Sequence, residues 1–167
     1  MALDATVGGA SANSFATLAE FTAYAALRGW TLEATDALNE INLLKSMDAL
    51  VRSYALDGYK TTEAQALPYP RVTSVYIDGY SVGTDIVPQQ WKDAEFEMAY
   101  LIQGGATPFA TVEGGAVKIS KVKAGPVESE TEYSGARETP RYVAIEGLIS
   151  PFIKAGSSGG TIRMRRG

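Results

Sequence analysis

The sequence predicts a mainly α-helical fold, a small helical bundle that carries a long β-hairpin and has flexible extensions at both ends. Apolar residues recur three and four positions apart from about Thr35 to Leu56 and again from Pro88 to about Gln103, which is the spacing of one helix face. From Ala116 to Tyr133 the pattern changes to alternation around a Gly125-Pro126 break, which is typical of two strands and a turn.

The first two helices have clear boundaries. Thr17 and Glu20 have the spacing of a capping box at the start of the first helix, and Gly29 provides its stop. The second helix ends before Asp57-Gly58. Its predicted apolar side consists of Leu38, Ile41, Leu43 or Leu44, Met47, Leu50, Val51 and Tyr54.

Residues 57 to 87 form a long connection, which glycine and proline interrupt too often for a helix. Within it, the residues from Val72 to Ile77 predict a short strand that Asp78-Gly79 turns. A loop of this length in a compact domain usually serves a function.

The stiffest part of this connection is Gln65-Ala66-Leu67-Pro68-Tyr69-Pro70-Arg71. Pro68 and Pro70 fix their own φ and hold the residue before each of them extended. We therefore expect Leu67 and Tyr69 to stand out as knobs with Arg71 presented beyond them. Such a segment suits docking on a subunit or partner better than it suits chemistry.

Two further helices are predicted. Pro88 opens the third, whose apolar stripe is Trp91, Ala94 or Glu95, Met98, Leu101 and Ile102, and Gly104-Gly105 closes it. Thr139-Pro140 caps the fourth, which runs to about Lys154, and Pro151 disturbs its last turn because proline removes a helical hydrogen bond.

The predicted hairpin, at about 116–133, is strongly charged. Lys121 and Lys123 on its first strand would face Glu128 and Glu130 on its second, and these four residues are candidate contacts with neighbouring subunits. Exposed pairs of this kind contribute less than about 1 kcal/mol each.

We expect one helical domain over residues 1–154 and a basic C-terminal segment over 155–167. Gly and Ser residues at 156–160 form a flexible linker to the end of the chain. The candidate partner-binding residues there are Ile162, Arg163, Met164, Arg165 and Arg166. Their alternation suits an added strand on a partner sheet or an acidic groove, and simple disorder at a terminus is the alternative.

Composition argues against an enzyme. The 167 residues include no histidine and no cysteine, which removes imidazole bases, thiol nucleophiles and most zinc sites, so no cofactor is expected. Asp93, Glu95 and Glu97 crowd the third helix and would suit acid–base work, but a solvated helix face is the better interpretation. A carboxylate-bound Mg²⁺ remains the alternative for a hydrolase.

The net charge of −4 hides an asymmetry, because residues 1–117 carry 6 Lys and Arg against 14 Asp and Glu, whereas 118–167 carry 9 against 5. An acidic body argues against coating nucleic acid over the whole surface. Tyrosines outside the helices, Tyr59, Tyr69, Tyr76 and Tyr80, are available to an interface. The chain has no apolar run that could span a membrane, and no membrane association is expected.

Three ordered stretches resemble a known family. Ala12-Asn13-Ser14-Phe15 precedes the first helix, Gln65 to Arg71 follows the second, and Ile86-Val87-Pro88 opens the third. Together they are similar to the head-tail adaptor, or head-completion, proteins of tailed bacteriophages, part of which carries the label DnaT-like single-stranded-DNA-binding protein. The resemblance covers about residues 10–154, and Pro68-Tyr69 departs from its common pattern.

The resemblance implies a structural virion protein at the neck, made in the host cytoplasm. It would form a homo-oligomeric ring, of twelve copies in this family, beneath the portal protein, and would join head to tail through tail or stopper proteins. The basic C-terminal residues, Ile162 to Arg166, would then bind the portal protein. DNA would pass the channel without sequence-specific binding. The alternative from a different class is a single-stranded-DNA-binding replication protein.

Overall fold

The computed structural model describes residues 2–108 and 142–154, and the backbone of residues 117–123 and 128–133. Within these residues it contains four α-helices, α1 (Leu18–Leu27), α2 (Asp36–Ser53), α3 (Gln89–Gln103) and α4 (Val143–Ile149). A 3-10 turn, Ser150–Phe152, follows α4 directly. The predicted mainly α fold is confirmed.

Six short strands form three antiparallel pairs in the described part of the chain. β1 (Tyr59–Lys60) pairs with β2 (Arg71–Val72), and β3 (Tyr76–Ile77) pairs with β4 (Tyr80–Ser81). β5 (Val117–Lys123) pairs with β6 (Glu128–Tyr133), which confirms the predicted hairpin. Its register sets Lys121 opposite Glu130 and Lys123 opposite Glu128, as the sequence pattern predicts.

The turn between β3 and β4 lies at the predicted place. Asp78 and Gly79 have φ values of 51° and 86°, so both central residues of the two-residue loop are left-handed. This is the arrangement that matches the twist of the flanking strands. The strand itself is shorter than the predicted Val72 to Ile77.

The start of α1 confirms the capping box. The backbone N–H of Glu20 donates to Thr17 Oγ1 at 3.2 Å, and the Thr17 N–H donates to Glu20 Oε2 at 2.7 Å. Gly29 ends the helix with a φ of 66°. Glu20 also joins α1 to α3, since Lys92 Nζ lies 2.6 Å from its Oε1.

The core lies where α2 packs on α3, with α1 against both and α4 against α3. Phe21 of α1 stacks on Phe96 of α3 with ring centroids 5.5 Å apart, and Leu43 of α2 belongs to the same buried cluster. Aromatic pairs of this kind add about 0.5–1.5 kcal/mol beyond the area they bury.

The predicted apolar faces are partly wrong. Leu38 and Ile41 of α2 and Leu101 of α3 are exposed. The buried side of α2 consists instead of Asn39, Asn42, Leu43, Ser46, Met47, Ala49 and Leu50. Polar residues lie on it because they are satisfied locally: the Asn39 side chain accepts from Glu33 N and donates to Glu33 O, each at 3.1 Å.

The end of the described chain returns to the end of α2. Pro151 lies in the 3-10 turn and α4 ends at Ile149, short of the predicted Lys154, which confirms the disturbance by proline. Ile153 then forms a β-bridge with Leu56, and Lys154 N donates to Ala55 O at 2.9 Å. The predicted cap Thr139-Pro140 lies outside the described residues.

The chain divides into two compact units, residues 1–106 with 143–167 and residues 107–142. All four helices belong to the first unit and the β5–β6 hairpin to the second. The extent of a single domain over 1–154 stays a prediction. None of the described helices combines the length and apolar character that crossing a bilayer needs.

Candidate partner-binding site

The Gln65–Arg71 segment is folded around the side chain of Gln65. The Gln65 carboxamide is buried, its Nε2 donates to Leu67 O at 2.9 Å and to Pro70 O at 2.8 Å, and its Oε1 accepts from Thr62 N at 3.0 Å. The Tyr69–Pro70 peptide bond is cis. One amide thus bonds to two carbonyls of the segment and to the backbone N–H of Thr62 just before it.

Arg71 closes the other side of the segment. Its Nε donates to Asp57 O at 2.8 Å, its Nη2 to Gly58 O at 2.6 Å and its Nη1 to Pro68 O at 3.2 Å. Burial lowers the pKa of the guanidinium, although its ordinary value is so high that the group stays charged. The planar fork of donors therefore fastens the start of the α2–α3 connection to the Pro-Tyr-Pro segment.

Tyr69 points into the core. Its ring centroid lies 5.4 Å from that of Trp91, and 6.3 Å from those of both Phe15 and Phe152. Tyr69 thus joins the N-terminal segment, α3 and the 3-10 turn in one aromatic cluster.

The expectation of outward-pointing knobs is wrong for Leu67, Tyr69 and Arg71, because all three side chains are buried in the chain itself. Pro70 is also buried and Pro68 is half-buried. A contact of this segment with a partner stays a prediction. The alternation of proline and aromatic residues indicates a stiff element, but it does not indicate which side of the element faces the core.

A second buried polar contact joins the N-terminal segment to α3. Glu95 is fully buried, with Ser14 Oγ 2.8 Å from its Oε1 and the Phe15 N–H donating to its Oε2 at 3.1 Å. Burial raises the pKa of Glu95 to about 8, against the lowering effect of the hydrogen bonds from Ser14, Phe15 and Ala16. The sequence placed Glu95 either on the apolar stripe or on a solvated face, and the structure selects the first position.

The surroundings of Glu95 do not suit acid–base catalysis, because a substrate in solvent cannot contact a carboxyl that is fully buried. Asp93 accepts from Gln89 on the same helix, and Glu97 accepts from Tyr24 Oη at 3.1 Å. Among the described residues there is no group of three or more acidic side chains placed to hold a metal ion.

The exposed aromatic surface lies elsewhere on the α2–α3 connection. Tyr59 on β1 and Tyr76 on β3 are each 67% exposed, and Tyr80 on β4 is 81% exposed. Of the four non-helical tyrosines that the sequence made available to an interface, the structure thus exposes these three and buries Tyr69. Exposed tyrosines are enriched in protein–protein interfaces.

A half-buried aromatic group lies at the end of α1. The rings of Trp30 and Tyr100 stack with centroids 4.1 Å apart at an interplanar angle of 7°, and Tyr24 meets Trp30 edge-on. The Arg28 guanidinium lies 3.3 Å from the centre of the Tyr24 ring and 3.7 Å from Glu97 Oε1. Sequence spacing could not predict this group, because its members come from a loop and from two helices.

Most of the Lys and Arg side chains that the structure describes in the first unit already have partners within the protein. Arg28, Arg52 and Lys92 form ion pairs with Glu97, Asp48 and Glu20. Lys60 donates to the carbonyls of Gln65 and Ala66, and Arg71 to three others. A phosphate backbone would have to compete for five of the seven Lys and Arg side chains described in this unit.

The remaining predicted site residues have fewer structural constraints. Lys121, Lys123, Glu128 and Glu130 are placed by the backbone register of β5 and β6 alone. Ile162, Arg163, Met164, Arg165 and Arg166 lie outside the described residues. Their proposed contacts stay predictions.

Comparison with known proteins gives one match. A family model with the description "Putative DnaT-like ssDNA binding protein" matches residues 1–167. Searches of curated proteins and of solved structures give no significant match.

Proposed function

The chain belongs to the DnaT-like ssDNA-binding protein family, and we propose that its role there is structural: it is a head-to-tail adaptor of a tailed phage. In this proposal, copies of the chain form a ring under the portal protein, extend the DNA channel and offer a surface to tail or stopper proteins. The protein is not an enzyme and resides in the neck of the virion.

The proposal depends on one observation: the described basic side chains mostly bond within the protein, whereas aromatic side chains are exposed. Five cations of the helical unit serve its own carboxylates and carbonyls, whereas three tyrosines of the α2–α3 connection face outward. Tyrosine supplies large contact area at low entropic cost and is typical of interfaces between proteins. An acidic body also limits adhesion to DNA that moves past it.

The resemblance in three ordered stretches supports the same role. Two of them form the buried contacts described above: Ser14 and Phe15 bind Glu95, and Gln65 and Arg71 organise the connection. These residues therefore maintain the fold that presents the exposed tyrosines.

The test is assembly on heads. Purified protein is added to DNA-filled, portal-bearing heads that lack it, and joined particles are counted by electron microscopy after tails are supplied. We expect joining with the parent chain and little joining with Tyr76→Ser/Tyr80→Ser, while Ile41→Ser, a change at an exposed site on α2, serves as the matched control. Failure of the parent chain to bind heads or to restore joining would contradict the adaptor role.

A second candidate, binding of single-stranded DNA, is favoured by the family description and by the Trp30–Tyr100 stack beside Arg28. Aromatic faces and an arginine are the elements on which single-stranded bases stack. Trp91 is buried, so quenching of tryptophan fluorescence by an oligonucleotide reports mainly on Trp30. Quenching that weakens steeply as the salt concentration rises would support this candidate over the adaptor.

A further inference from the structure

The β3–β4 ribbon, residues 76–81, has a strand edge that no other described strand pairs with, and it carries aromatic side chains. Within the described part of the chain the ribbon consists of two strands, Tyr76 lies opposite Ser81 and Ile77 opposite Tyr80, so the tyrosines belong to opposite faces. Both tyrosines are largely exposed. Exposed strand edges in native proteins are usually covered, charged or paired with another segment.

The charge around the ribbon is negative. Asp78 in the turn, Asp85 just after β4 and Glu63 earlier in the connection are exposed carboxylates. The two basic residues of the connection, Lys60 and Arg71, donate to backbone carbonyls. They therefore do not neutralise the negative charge of these three carboxylates. A ligand for this edge is therefore an extended, basic peptide.

The end of the described chain lies at the base of the same connection. Ile153 bridges Leu56, and Asp57 N donates to Phe152 O at 3.0 Å, two residues before β1 begins. Thirteen residues, 155–167, follow Lys154. At roughly 3.3 Å per residue, the six residues 155–160 can span about 20 Å before residues 161–166 begin.

The sequence of this segment fits the edge. After the Gly/Ser linker, Ile162 and Met164 alternate with Arg163 and Arg165, the period of an extended strand. Added to the ribbon, such a strand sends side chains to both faces, where arginine can stack on tyrosine and pair with Asp78.

We propose that residues 161–166 bind the β3–β4 ribbon of their own chain as an added strand. A short flexible linker gives the segment a millimolar effective concentration at the ribbon, so a weak contact suffices to occupy it. The contact does not depend on the adaptor role. In an assembling protein it would cover the tyrosines until a partner displaces the segment.

The absence of cysteine permits a direct test by disulfide formation in the full chain. Tyr80→Cys/Met164→Cys is compared with Leu27→Cys/Met164→Cys, because Leu27 is an exposed side chain on α1. At low protein concentration under mild oxidation, we expect the Tyr80 pair to form an intramolecular disulfide at least tenfold faster than the Leu27 pair. Adding Asp78→Asn, which keeps a residue that tolerates the left-handed turn, should slow this reaction severalfold.

Two outcomes would overturn the proposal: equal rates for the two pairs, or a Tyr80 disulfide that forms only between copies. A second measurement needs no cysteine substitution, so it does not depend on whether the cysteine variants fold normally. Deleting residues 161–167 should raise the rate at which tetranitromethane nitrates Tyr80 and leave the rate at Tyr59 unchanged, as read by peptide mass spectrometry. No change at Tyr80 would count against the contact.

Discussion

The contact between Ser14 and Glu95 lacks one hydrogen atom if the Glu95 carboxyl is ionised, because Ser14 then has two acceptors to satisfy. Ser14 Oγ lies 2.8 Å from Glu95 Oε1 and 2.7 Å from Ala16 O, yet a hydroxyl has one hydrogen to donate. If Glu95 is neutral, its carboxyl donates to Ser14 Oγ, Ser14 donates to Ala16 O, and Phe15 N–H donates to the other carboxyl oxygen. Hydrogen-bond counting and the raised pKa thus agree on a protonated Glu95 at neutral pH.

This contact predicts that stability falls as the pH rises. The pKa of Glu95 is about 8 in the folded chain and 4.5 as the ordinary value, so between these pH values the folded state holds a proton that the unfolded state has lost. The free energy of unfolding should therefore fall from about pH 4.5 to about pH 8, with a slope of at most about 1.4 kcal/mol per pH unit from this group.

Glu95→Gln isolates this contribution, because an amide reproduces the donor and acceptor of a neutral carboxyl. We expect the variant to gain stability over the parent as the pH rises from 5 to 8, measured by urea unfolding at each pH. Glu20→Gln is the control for an exposed carboxylate of the same region. An unchanged difference between Glu95→Gln and the parent across this range would show that Glu95 does not retain its proton on folding.

The buried position of Tyr69, which the sequence suggested to be a knob on the surface, predicts a large loss of stability when its side chain is truncated. Tyr69→Ala would leave a cavity among Phe15, Trp91 and Phe152, and truncation of a buried aromatic costs about 3–5 kcal/mol. Tyr80→Ala, at an exposed site, should change the free energy of unfolding by less than about 0.5 kcal/mol. Urea unfolding of the two variants compares the sites, and similar small losses at both would contradict the core position of Tyr69.

These contrasts show what the sequence could predict. Helix positions, the capping box at Thr17 and the Asp78-Gly79 turn depend on local chemistry, and all were predictable. The facing of side chains depends on tertiary packing: Glu95 is buried because the N-terminal segment donates to it, and Arg71 because loop carbonyls accept from it. A residue's own type and spacing do not contain that information.

The three hydrogen bonds of Arg71 lead us to expect that the stability of the fold depends on its guanidinium group and not on its charge alone. Arg71→Lys keeps the charge but cannot reach Asp57 O, Gly58 O and Pro68 O together, so carbonyls of the connection lose partners. We expect a loss of about 1–3 kcal/mol in the free energy of unfolding. Lys45→Ala, at an exposed position of α2, is the control and should change it by less than about 0.5 kcal/mol. Chemical unfolding measures both, and a neutral Arg71→Lys would show that charge alone suffices.

Gly58 and Gly29 form a matched pair for the last prediction. Both have left-handed backbones, with φ values of 79° and 66°, so alanine carries a similar local strain at either site. A Cβ at Gly58 would lie 2.0 Å from Val72 O, in the β1–β2 pairing that Arg71 fastens, whereas a Cβ at Gly29 meets nothing within 4 Å. The backbone of β2 must therefore move only in Gly58→Ala.

We expect Gly29→Ala to cost about 1 kcal/mol and Gly58→Ala to cost at least twice as much, as measured by urea unfolding. Gly58→Ala should also increase amide hydrogen exchange at Thr61, whose N–H donates to Pro70 O at 3.2 Å across the same pairing. Equal losses of stability in the two variants would mean that the β2 backbone moves away from the new Cβ without a measurable loss of free energy. The fastening of the connection by Arg71 and Gln65 would then be too loose to hold the exposed tyrosines in place.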